Sequence, residues 1–261
     1  MLIVISPAKT LDFEKVNETL PMTEPQFLIE AKELVHELKG FDSLSLERIM
    51  KISPKLSTLN YKRFQTWSDS LDSARQCIIA FKGDVYRGID VGSYTIEDFF
   101  YANDNLRILS GLYGVLKPFD GIDLYRLEMG TKLSFDGYKN LYNYWGNKLL
   151  KNIAQDVRKG ESKMLVNLAS YEYFKAIENI KELYDIKVIT PIFKEYRNGE
   201  YKIISIMAKR ARGLMTSFII KNKIKSIEDL RKFNDEGYEY NEELSNGNEL
   251  VFTREENYSY K

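Results

Sequence analysis

The sequence predicts an α+β fold in which a single mixed β-sheet is surrounded by helices. Short apolar runs, typical of strands buried on both faces, alternate with segments whose apolar residues recur at helical spacing. The 261 residues are 44% hydrophobic and 29% charged, which suits a globular protein with one large core. Because no Pro- or Gly-rich linker and no repeat interrupts the sequence, we expect one domain spanning residues 1–261.

Five buried apolar runs are the predicted strands. They cover residues 2–5, 77–81, 106–109, 164–168 and 187–192. Nearer the end, residues 192–196 and 201–206 flank Asn198 and Gly199. Both of these residues tolerate the positive φ angles of a type I′ turn, so a β-hairpin is predicted there. The pattern leaves the order of the strands open.

Four segments have apolar residues at helical spacing: 27–38, 141–153, 171–180 and 211–221. The first is expected to begin with a capping box formed by Thr23 and Gln26. His36 lies away from the apolar stripe of this helix, as surface histidines do, and Cys77 sits in an apolar run, as small core residues do. With one histidine and one cysteine, the chain cannot assemble a zinc cluster, and we expect no metal and no cofactor.

Positive and negative charges are equal in number but unevenly placed. Lys and Arg total 38, as do Asp and Glu, yet residues 201–227 contain seven basic side chains and no acidic one. Residues 228–256 then contain ten carboxylates and three basic side chains. Lys209, Arg210 and Arg212 cluster where the last helical pattern begins, and cations there destabilise a helix unless an anion binds them. That anion is either a nucleic-acid phosphate or a carboxylate of the acidic segment, and both interpretations stay open.

Lysines also follow two of the predicted strands. Lys9 comes shortly after residues 2–5, and Lys82 directly follows residues 77–81. The carboxyl ends of neighbouring strands often meet at one crevice, so the two lysines are expected to contribute to one anion site. The alternative is that the small and hydroxyl residues of these loops merely form turns.

Residues 44–67 are predicted to form two short helices joined by a tight turn. Ser53 is a good helix cap, and Pro54 suits the first helical turn. Three cations follow: Lys55, Lys62 and Arg63. Such a helix pair could present backbone amides and cations to a phosphate. Helix pairs are also common in protein cores, so a purely structural role is the alternative.

A guanidinium and a carboxylate lie two positions apart at Arg126 and Glu128, with Asp120 and Asp123 just upstream. An ion pair between Arg126 and Glu128 would be structural. Carboxylates beside a basic crevice could instead act as acid or base, or hold a divalent ion. The glycines of this region match neither a P-loop nor a dinucleotide-binding motif.

Longer motifs, in one order over almost the whole chain, carry a family resemblance. They are LIVISPAKTL (2–11), AFKGDVY (80–86), LSGLYGVL (109–116), YRLEMG (125–130), NLAS (167–170), ARGLM (211–215), FN (233–234) and EGY (236–238). Together they resemble the YaaA family of bacterial peroxide-stress proteins.

The resemblance implies a distinctive mixed α/β fold with a positively charged cleft. It also implies a DNA-binding role associated with oxidative stress and DNA repair, and a link to limiting free intracellular iron during peroxide exposure. The family is described as carrying a helix-hairpin-helix element, which would fall at residues 46–64, within 44–67. This sequence departs from the usual pattern there, because residues 51–55 contain no hairpin glycine. For iron, the chain offers only carboxylate ligands.

Residues and resemblance together predict a DNA-binding protein of the peroxide stress response that does not read sequence. The apolar N-terminal run is only five residues long, and none approaches the roughly 18 residues of a membrane span, so we expect the cytoplasm and no membrane partner. The cations expected to bind nucleic acid are Lys9, Lys82, Arg87, Lys209, Arg210 and Arg212, with Arg126 near the wall of the same cleft.

Two other functions stay open. The first alternative is an enzyme that acts on a nucleotide or nucleic-acid substrate in the same cleft, with Asp84 or Glu128 as the acid-base candidate. The second is a stress protein that docks protein partners through its acidic C-terminal region. DNA binding predicts a steep salt dependence that neither alternative requires.

Overall fold

The computed structural model describes residues 1–14 and 19–256, and its fold is α/β, with a mostly parallel mixed sheet flanked by helices. The strands are β1 (Leu2–Ile5), β2 (Thr10–Leu11), β3 (Arg75–Gln76), β4 (Phe81–Lys82), β5 (Leu106–Ser110), β6 (Gly114–Leu116), β7 (Gly121–Ile122), β8 (Met164–Leu168), β9 (Lys187–Arg197), β10 (Glu200–Lys202), β11 (Glu239–Tyr240) and β12 (Glu249–Arg254). The helices are α1 (Leu28–Lys39), α2 (Ser43–Met50), α3 (Pro54–Thr66), α4 (Cys77–Ala80), α5 (Asp84–Ile89), α6 (Ile96–Asn105), α7 (Leu141–Trp145), α8 (Lys148–Lys159), α9 (Tyr171–Phe174), α10 (Ile180–Tyr184), α11 (Ser205–Lys221) and α12 (Ile227–Leu230).

The main sheet has the strand order β11-β12-β9-β8-β1-β5-β6, and β10 pairs with β9. Its five central strands are parallel to their neighbours, whereas β6, β10 and β11 are antiparallel. In the middle, Ile3 pairs with Val166 on one side and Leu106 on the other, and β1 is buried throughout. Parallel strands buried on both faces are typical of α/β proteins. The mixed sheet with surrounding helices is therefore confirmed, but its mainly parallel strands correct the predicted α+β class.

Most of the predicted strands are confirmed, but the one at residues 77–81 is wrong. Residues 2–5, 106–109, 164–168 and 187–192 all lie in strands of the main sheet. Residues 77–80 instead form the short helix α4, where the backbone N–H of Cys77 donates to the Asp120 carbonyl at 2.9 Å. A short buried run has no periodicity that separates a strand from a helical turn.

The predicted helix at 27–38 is confirmed as α1, but its capping box is wrong. The residue preceding α1 is Phe27, which makes no side-chain cap. The Thr23 hydroxyl instead donates to the Asp120 carboxylate at 2.7 Å, and Gln26 accepts a hydrogen bond from Asn152 at 2.6 Å. These partners are distant in sequence, and tertiary contacts override the local motif.

Two other predicted helices are interrupted. The pattern at 141–153 divides into α7 and α8 at Gly146, whose φ of 45° is left-handed. The pattern at 171–180 divides into α9, a 3₁₀ turn and the start of α10. In both cases the apolar spacing continues across the break, so periodicity alone does not reveal it.

The predicted hairpin is confirmed, and the helix after it begins earlier than expected. Asn198 and Gly199 have φ angles of 52° and 86°, and β9 and β10 pair in antiparallel fashion around them. The second strand ends at Lys202, so its predicted extension to residue 206 is wrong, because α11 begins at Ser205. Lys209, Arg210 and Arg212 therefore lie in the second turn of α11. The positive end of the helix dipole acts mainly on the first turn, and the expected conflict with these cations is reduced.

Two glycines let α11 cross α5 closely. A Cβ atom built on Gly213 would lie 1.9 Å from the carbonyl oxygen of Val85, and one on Gly88 would lie 2.2 Å from that of Arg210. Neither backbone can accommodate a side chain at this crossing. The contact fixes α11 against α5, which follows Lys82 of β4.

The acidic C-terminal segment is structured up to Glu256, the last residue that the structure describes. Its residues form α12, β11 and β12, and β12 extends the sheet beside β9. Arg254 of β12 and Glu195 of β9 form a buried ion pair at 3.0 Å. The segment therefore belongs to the folded core.

Candidate functional site

The loops at the carboxyl edge of the sheet bring two predicted lysines close together. After β1 the chain turns into β2, which pairs with β4 so that Thr10 lies opposite Lys82. Lys9, the neighbour of Thr10, therefore lies near Lys82. One cleft opens beside each lysine, and we name them the Lys82 cleft and the Lys9 cleft.

The Lys82 cleft has a volume of 760 Å³ and lies between α5, the loop after it and α11. Three of the predicted cations line it, together with one carboxylate and several aromatic rings: Lys82, Arg87, Arg210, Asp90, Phe81, Tyr86, Tyr94 and Phe99. Each of the three cations has a carboxylate partner. Lys82 lies 3.9 Å from Asp12, and Arg87 lies 3.1 Å from Asp84. Arg210 forms hydrogen bonds to both oxygens of Glu236.

The Lys9 cleft has a volume of 320 Å³ and lies between the turn after α2 and residues 126–132. The charged side chains that line it are Lys9, Lys51, Arg126, Lys132, Glu128 and Glu172. The structure thus brings Lys9 and Arg126 together, as expected. Lys132 was not among the predicted site residues, although it comes only two positions after the YRLEMG motif.

Glu128 lies between two cations of the Lys9 cleft. One of its oxygens is 2.5 Å from Lys9 Nζ, and the other accepts hydrogen bonds from Arg126 Nη2 at 2.8 Å and Nε at 3.2 Å. Burial on its own would raise the pKa of Glu128, but the hydrogen bonds and charges of Lys9 and Arg126 outweigh it and lower that pKa. The carboxylate is therefore ionised at neutral pH and balances part of the positive charge.

The three cations of α11 that the sequence predicts to bind nucleic acid have different surroundings. Lys209 is exposed. Arg210 pairs with Glu236 of the acidic segment, which favours the carboxylate interpretation for that residue. Burial lowers the pKa of Arg212, which forms no ion pair with a carboxylate in the described part of the chain. Of the six other predicted cations, Lys9, Lys82, Arg87, Arg126 and Arg210 line the two clefts, whereas Lys209 does not.

Residues 43–66 form the helix pair α2–α3, joined by a turn of three residues. Asp42 caps α2 by accepting from the Ser45 N–H at 2.8 Å, and Ser53 caps α3, which begins at Pro54. Between them Lys51 adopts a left-handed conformation with φ 53°. This conformation is the one that glycine adopts most easily. Here Lys51 adopts it instead, and the turn forms without a glycine. Whether the pair acts as a helix-hairpin-helix element stays a prediction.

The helix pair carries five basic residues and one acidic residue, Glu47. The basic residues are Arg48, Lys51, Lys55, Lys62 and Arg63. Within residues 1–14 and 19–256, none of these five forms an ion pair. Burial, followed by the charge of Arg126, lowers the pKa of Arg63, so the guanidinium groups of Arg63 and Arg126 interact. Ile49, Met50 and Lys51 of the pair line the Lys9 cleft, so the pair and the cleft adjoin.

The fold and these clefts define a class of α/β proteins whose parallel sheet carries charged clefts at the carboxyl edge. The chain belongs to the family described as peroxide stress protein YaaA, whose model matches residues 1–244. It is 73% identical to a UPF0246 protein of Clostridium beijerinckii over 255 residues, which covers 98% of each chain. It is also 48% identical to a UPF0246 protein of Saccharophagus degradans over 258 residues, covering 98% of this chain and all of the relative.

A third relative, a UPF0246 protein of Clostridium botulinum, is 67% identical over 257 residues. The family resemblance expected from the motifs is thereby confirmed. The relatives' names do not state a ligand or reaction.

Among the helices of the described residues, none has the length and apolar character that a membrane span requires.

Proposed function

We propose that this member of the peroxide stress family binds DNA phosphates, without reading sequence, through the helix pair α2–α3 and the adjoining Lys9 cleft. The observation that carries the proposal is the set of five cations on the pair that lack carboxylate partners in the described chain. Side chains of this kind can replace the counterions condensed on DNA, and their release drives binding. A cation that already forms an ion pair contributes less to DNA affinity, because a phosphate must compete with the carboxylate already present.

The turn between the two helices adds a second element of recognition. Ser53 caps α3, and the backbone amides of its first turn have no partners within the helix other than the cap. Such a helix start favours an anion, and Lys51 and Lys55 flank it. Contacts of this type reach the phosphate backbone and not the base edges, which accounts for binding that does not depend on sequence.

The cations of the Lys82 cleft extend the proposed surface. Lys82, Arg87 and Arg210 lie across β2 from the Lys9 cleft, so a nucleic-acid strand could contact both sides of this segment. Because each is paired with a carboxylate, we assign them a secondary contribution. Lys209 and Arg212 of α11 are proposed as peripheral contacts only. Protein bound in this way would act on DNA exposed to peroxide and iron, and would support its repair.

The enzyme alternative has less support. A general acid must carry a proton near neutral pH, but Lys9 and Arg126 hold the pKa of Glu128 below its usual value. Asp84 already forms an ion pair with Arg87, with 3.1 Å between Asp84 Oδ1 and Arg87 Nη1. Turnover of a damaged oligonucleotide that disappears in Glu128→Gln, with binding kept, would restore the enzyme alternative.

Fluorescence anisotropy with two DNA duplexes of unrelated sequence tests the proposal. We expect affinities that agree within about threefold between the duplexes, because phosphates are the target. The double variant Lys55→Ala/Lys62→Ala should bind both duplexes about tenfold more weakly. The control variant Lys151→Ala/Lys187→Ala, which changes two exposed lysines elsewhere, should keep its affinity for both. Equal affinity in the two double variants would exclude the helix pair as the DNA-binding surface.

A further inference from the structure

We infer that the Lys9 cleft holds a phosphate monoester, which in DNA means the terminal phosphate of a strand end. This inference rests on the proposed function and names the part of the DNA that enters the cleft. It predicts a preference for broken, phosphorylated strands over continuous duplex. Three observations support it: the size of the cleft, its excess of positive charge, and Arg63, which interacts with Arg126 of the cleft and whose Nε atom has no hydrogen-bond partner among the described residues.

The volume of the cleft suits a single nucleotide unit. Its 320 Å³ lies at the lower end of the range of small-molecule pockets, about 300–1,000 Å³. One wall is the end of α2, with Ile49 and Met50, together with Lys51 of the turn after it, and the other is the segment from Arg126 to Lys132. A duplex is too wide to enter such a cleft and can only lie across its mouth. A strand end, which has no continuing backbone on one side, can enter.

The charge of the cleft matches a dianion. Four cations and two carboxylates line it, which leaves an excess of two positive charges. A phosphate monoester carries a charge of about −1.5 to −2 at neutral pH, because its second pKa is about 6. The diester of a continuous backbone carries a single negative charge and would leave part of the excess unbalanced.

The carboxylates already present have other partners. Glu128 binds Lys9 and Arg126, and Glu172 accepts the backbone N–H of Gly130 at 2.9 Å. Asp123, whose charge also acts on Arg63, accepts backbone N–H groups from Ser68 and Leu124. These contacts satisfy the carboxylates but leave Lys51 and Lys132 without an ion pair in the described chain.

Arg63 gives independent evidence of a missing anion. Its Nε atom is buried and has no hydrogen-bond partner among the described residues. Its guanidinium also lies close enough to Arg126 for their like charges to interact unfavourably. Two guanidinium groups held together at partial burial destabilise the fold unless an anion lies between them. A phosphate oxygen would accept from both groups, since guanidinium donors match phosphate geometry.

Binding of one duplex sequence in three forms tests the inference: with 5′-phosphate ends, with 5′-hydroxyl ends, and as a closed dumbbell without ends. Fluorescence anisotropy should give an affinity about tenfold higher for the phosphorylated form than for the other two. Lys132→Ala should reduce that ratio to about twofold or less. The control Lys151→Ala, on α8, should leave the ratio unchanged.

The outcomes separate this inference from the proposed function. Equal binding of all three forms overturns the inference and leaves the proposed function intact. Failure to bind any form overturns DNA binding, and calorimetric titration with adenosine 5′-monophosphate and with adenosine then decides the ligand. Binding of the monophosphate alone would identify a free nucleotide as the source of the phosphate monoester. Binding of neither compound would overturn the inference as well.

Discussion

Glu128 balances part of the positive charge of the Lys9 cleft. It is 20% exposed and contacts both Lys9 and Arg126. A carboxylate in this position occupies the donors that a phosphate would use. The ion pair between Arg126 and Glu128, expected as one of two interpretations of the sequence, is thus present, and it reduces the charge available for binding.

Replacing Glu128 by Gln should therefore strengthen DNA binding. The change keeps the shape of the side chain but frees the charges of Lys9 and Arg126, so we expect a roughly tenfold gain in affinity at low salt. Fluorescence anisotropy against Glu243→Gln, an exposed glutamate outside both clefts, provides the comparison. A weaker or unchanged affinity of Glu128→Gln would mean that neither cation contacts phosphate.

Lys51 allows charge and backbone conformation to be separated at one position. Its φ of 53° is unfavourable for a residue with a Cβ, and glycine removes that cost. Lys51→Gly should raise the free energy of unfolding by up to about 1 kcal/mol and still weaken DNA binding. Lys163→Gly is a matched control, because Lys163 is an exposed lysine with φ 49° that lies outside the helix pair. Urea unfolding and fluorescence anisotropy of both variants check the prediction. An equal loss of DNA affinity in Lys51→Gly and Lys163→Gly would contradict it.

At the scale of elements, the crossing of α5 and α11 positions the Lys82 cleft. Arg87 and Arg210 reach the cleft from these two helices, and the glycines at their crossing determine how close the helices come. Tyr86 also lines the cleft from α5. A change in the spacing of the helices would thus alter both stability and the cleft.

Gly213→Ala should destabilise the protein by about 3 kcal/mol or more, because the new methyl group would lie 1.9 Å from the Val85 carbonyl. Gly92→Ala is the control, since its nearest neighbour would be an Asp90 oxygen at 3.7 Å. That variant should change stability by less than about 1 kcal/mol. Urea unfolding of both proteins measures the difference, and equal stabilities would contradict the close crossing.

The sequence predicts these elements best where periodicity and turn chemistry agree. The runs at 2–5 and 164–168 are right because apolar runs of this length suit strands buried in a parallel sheet, and the hairpin at Asn198 and Gly199 is right because its turn residues determine it locally. The strand at 77–81 and the capping box at Thr23 are wrong because distant partners decide those conformations. Asp120 is one such partner, and no local pattern connects it to either place.

The candidate site is predictable in part for the same reason. Lys9 follows β1, as predicted, but Lys82 lies in β4, which pairs with β2 outside the main sheet, so the two lysines do not meet by the route that the strand pattern predicts. The ion-pair partners of the cations cannot be predicted from the sequence pattern, because tertiary packing brings Asp12 to Lys82 and Glu236 to Arg210. Charge runs in the sequence therefore do not distinguish Arg210 of α11, which pairs with Glu236, from the cations of α2–α3, which have no such partners in the described chain.

At the scale of the whole molecule, one buried acid links the N-terminal segment to the sheet region. Asp120 accepts hydrogen bonds from the Thr23 hydroxyl at 2.7 Å and the Lys117 N–H at 2.8 Å. Burial raises its pKa to about 6, against the lowering effects of these hydrogen bonds and of the charges of Lys117 and Arg107. The folded state therefore keeps a proton that the unfolded state has already lost, and stability falls as pH rises from about 4 to about 6.

Asp120→Asn should remove this contribution. Relative to the unchanged protein, the variant should gain about 2 kcal/mol of unfolding free energy between pH 4.5 and pH 7.5. The difference between the two proteins matters, because carboxylates with lowered pKa values, such as Glu128, act in the opposite direction. Urea unfolding at both pH values measures it. A difference that does not change with pH would show that Asp120 ionises in the folded state as it does in the unfolded state.

The salt dependence of DNA affinity tests the central claim most directly. If the cations of α2–α3 contact phosphates, the logarithm of the binding constant falls linearly with the logarithm of salt concentration, with a slope of about −0.9 per contact. The triple variant Lys51→Gly/Lys55→Ala/Lys62→Ala should reduce the magnitude of that slope by about 2 to 3. A triple variant with the slope of the unchanged protein would contradict DNA binding by the helix pair.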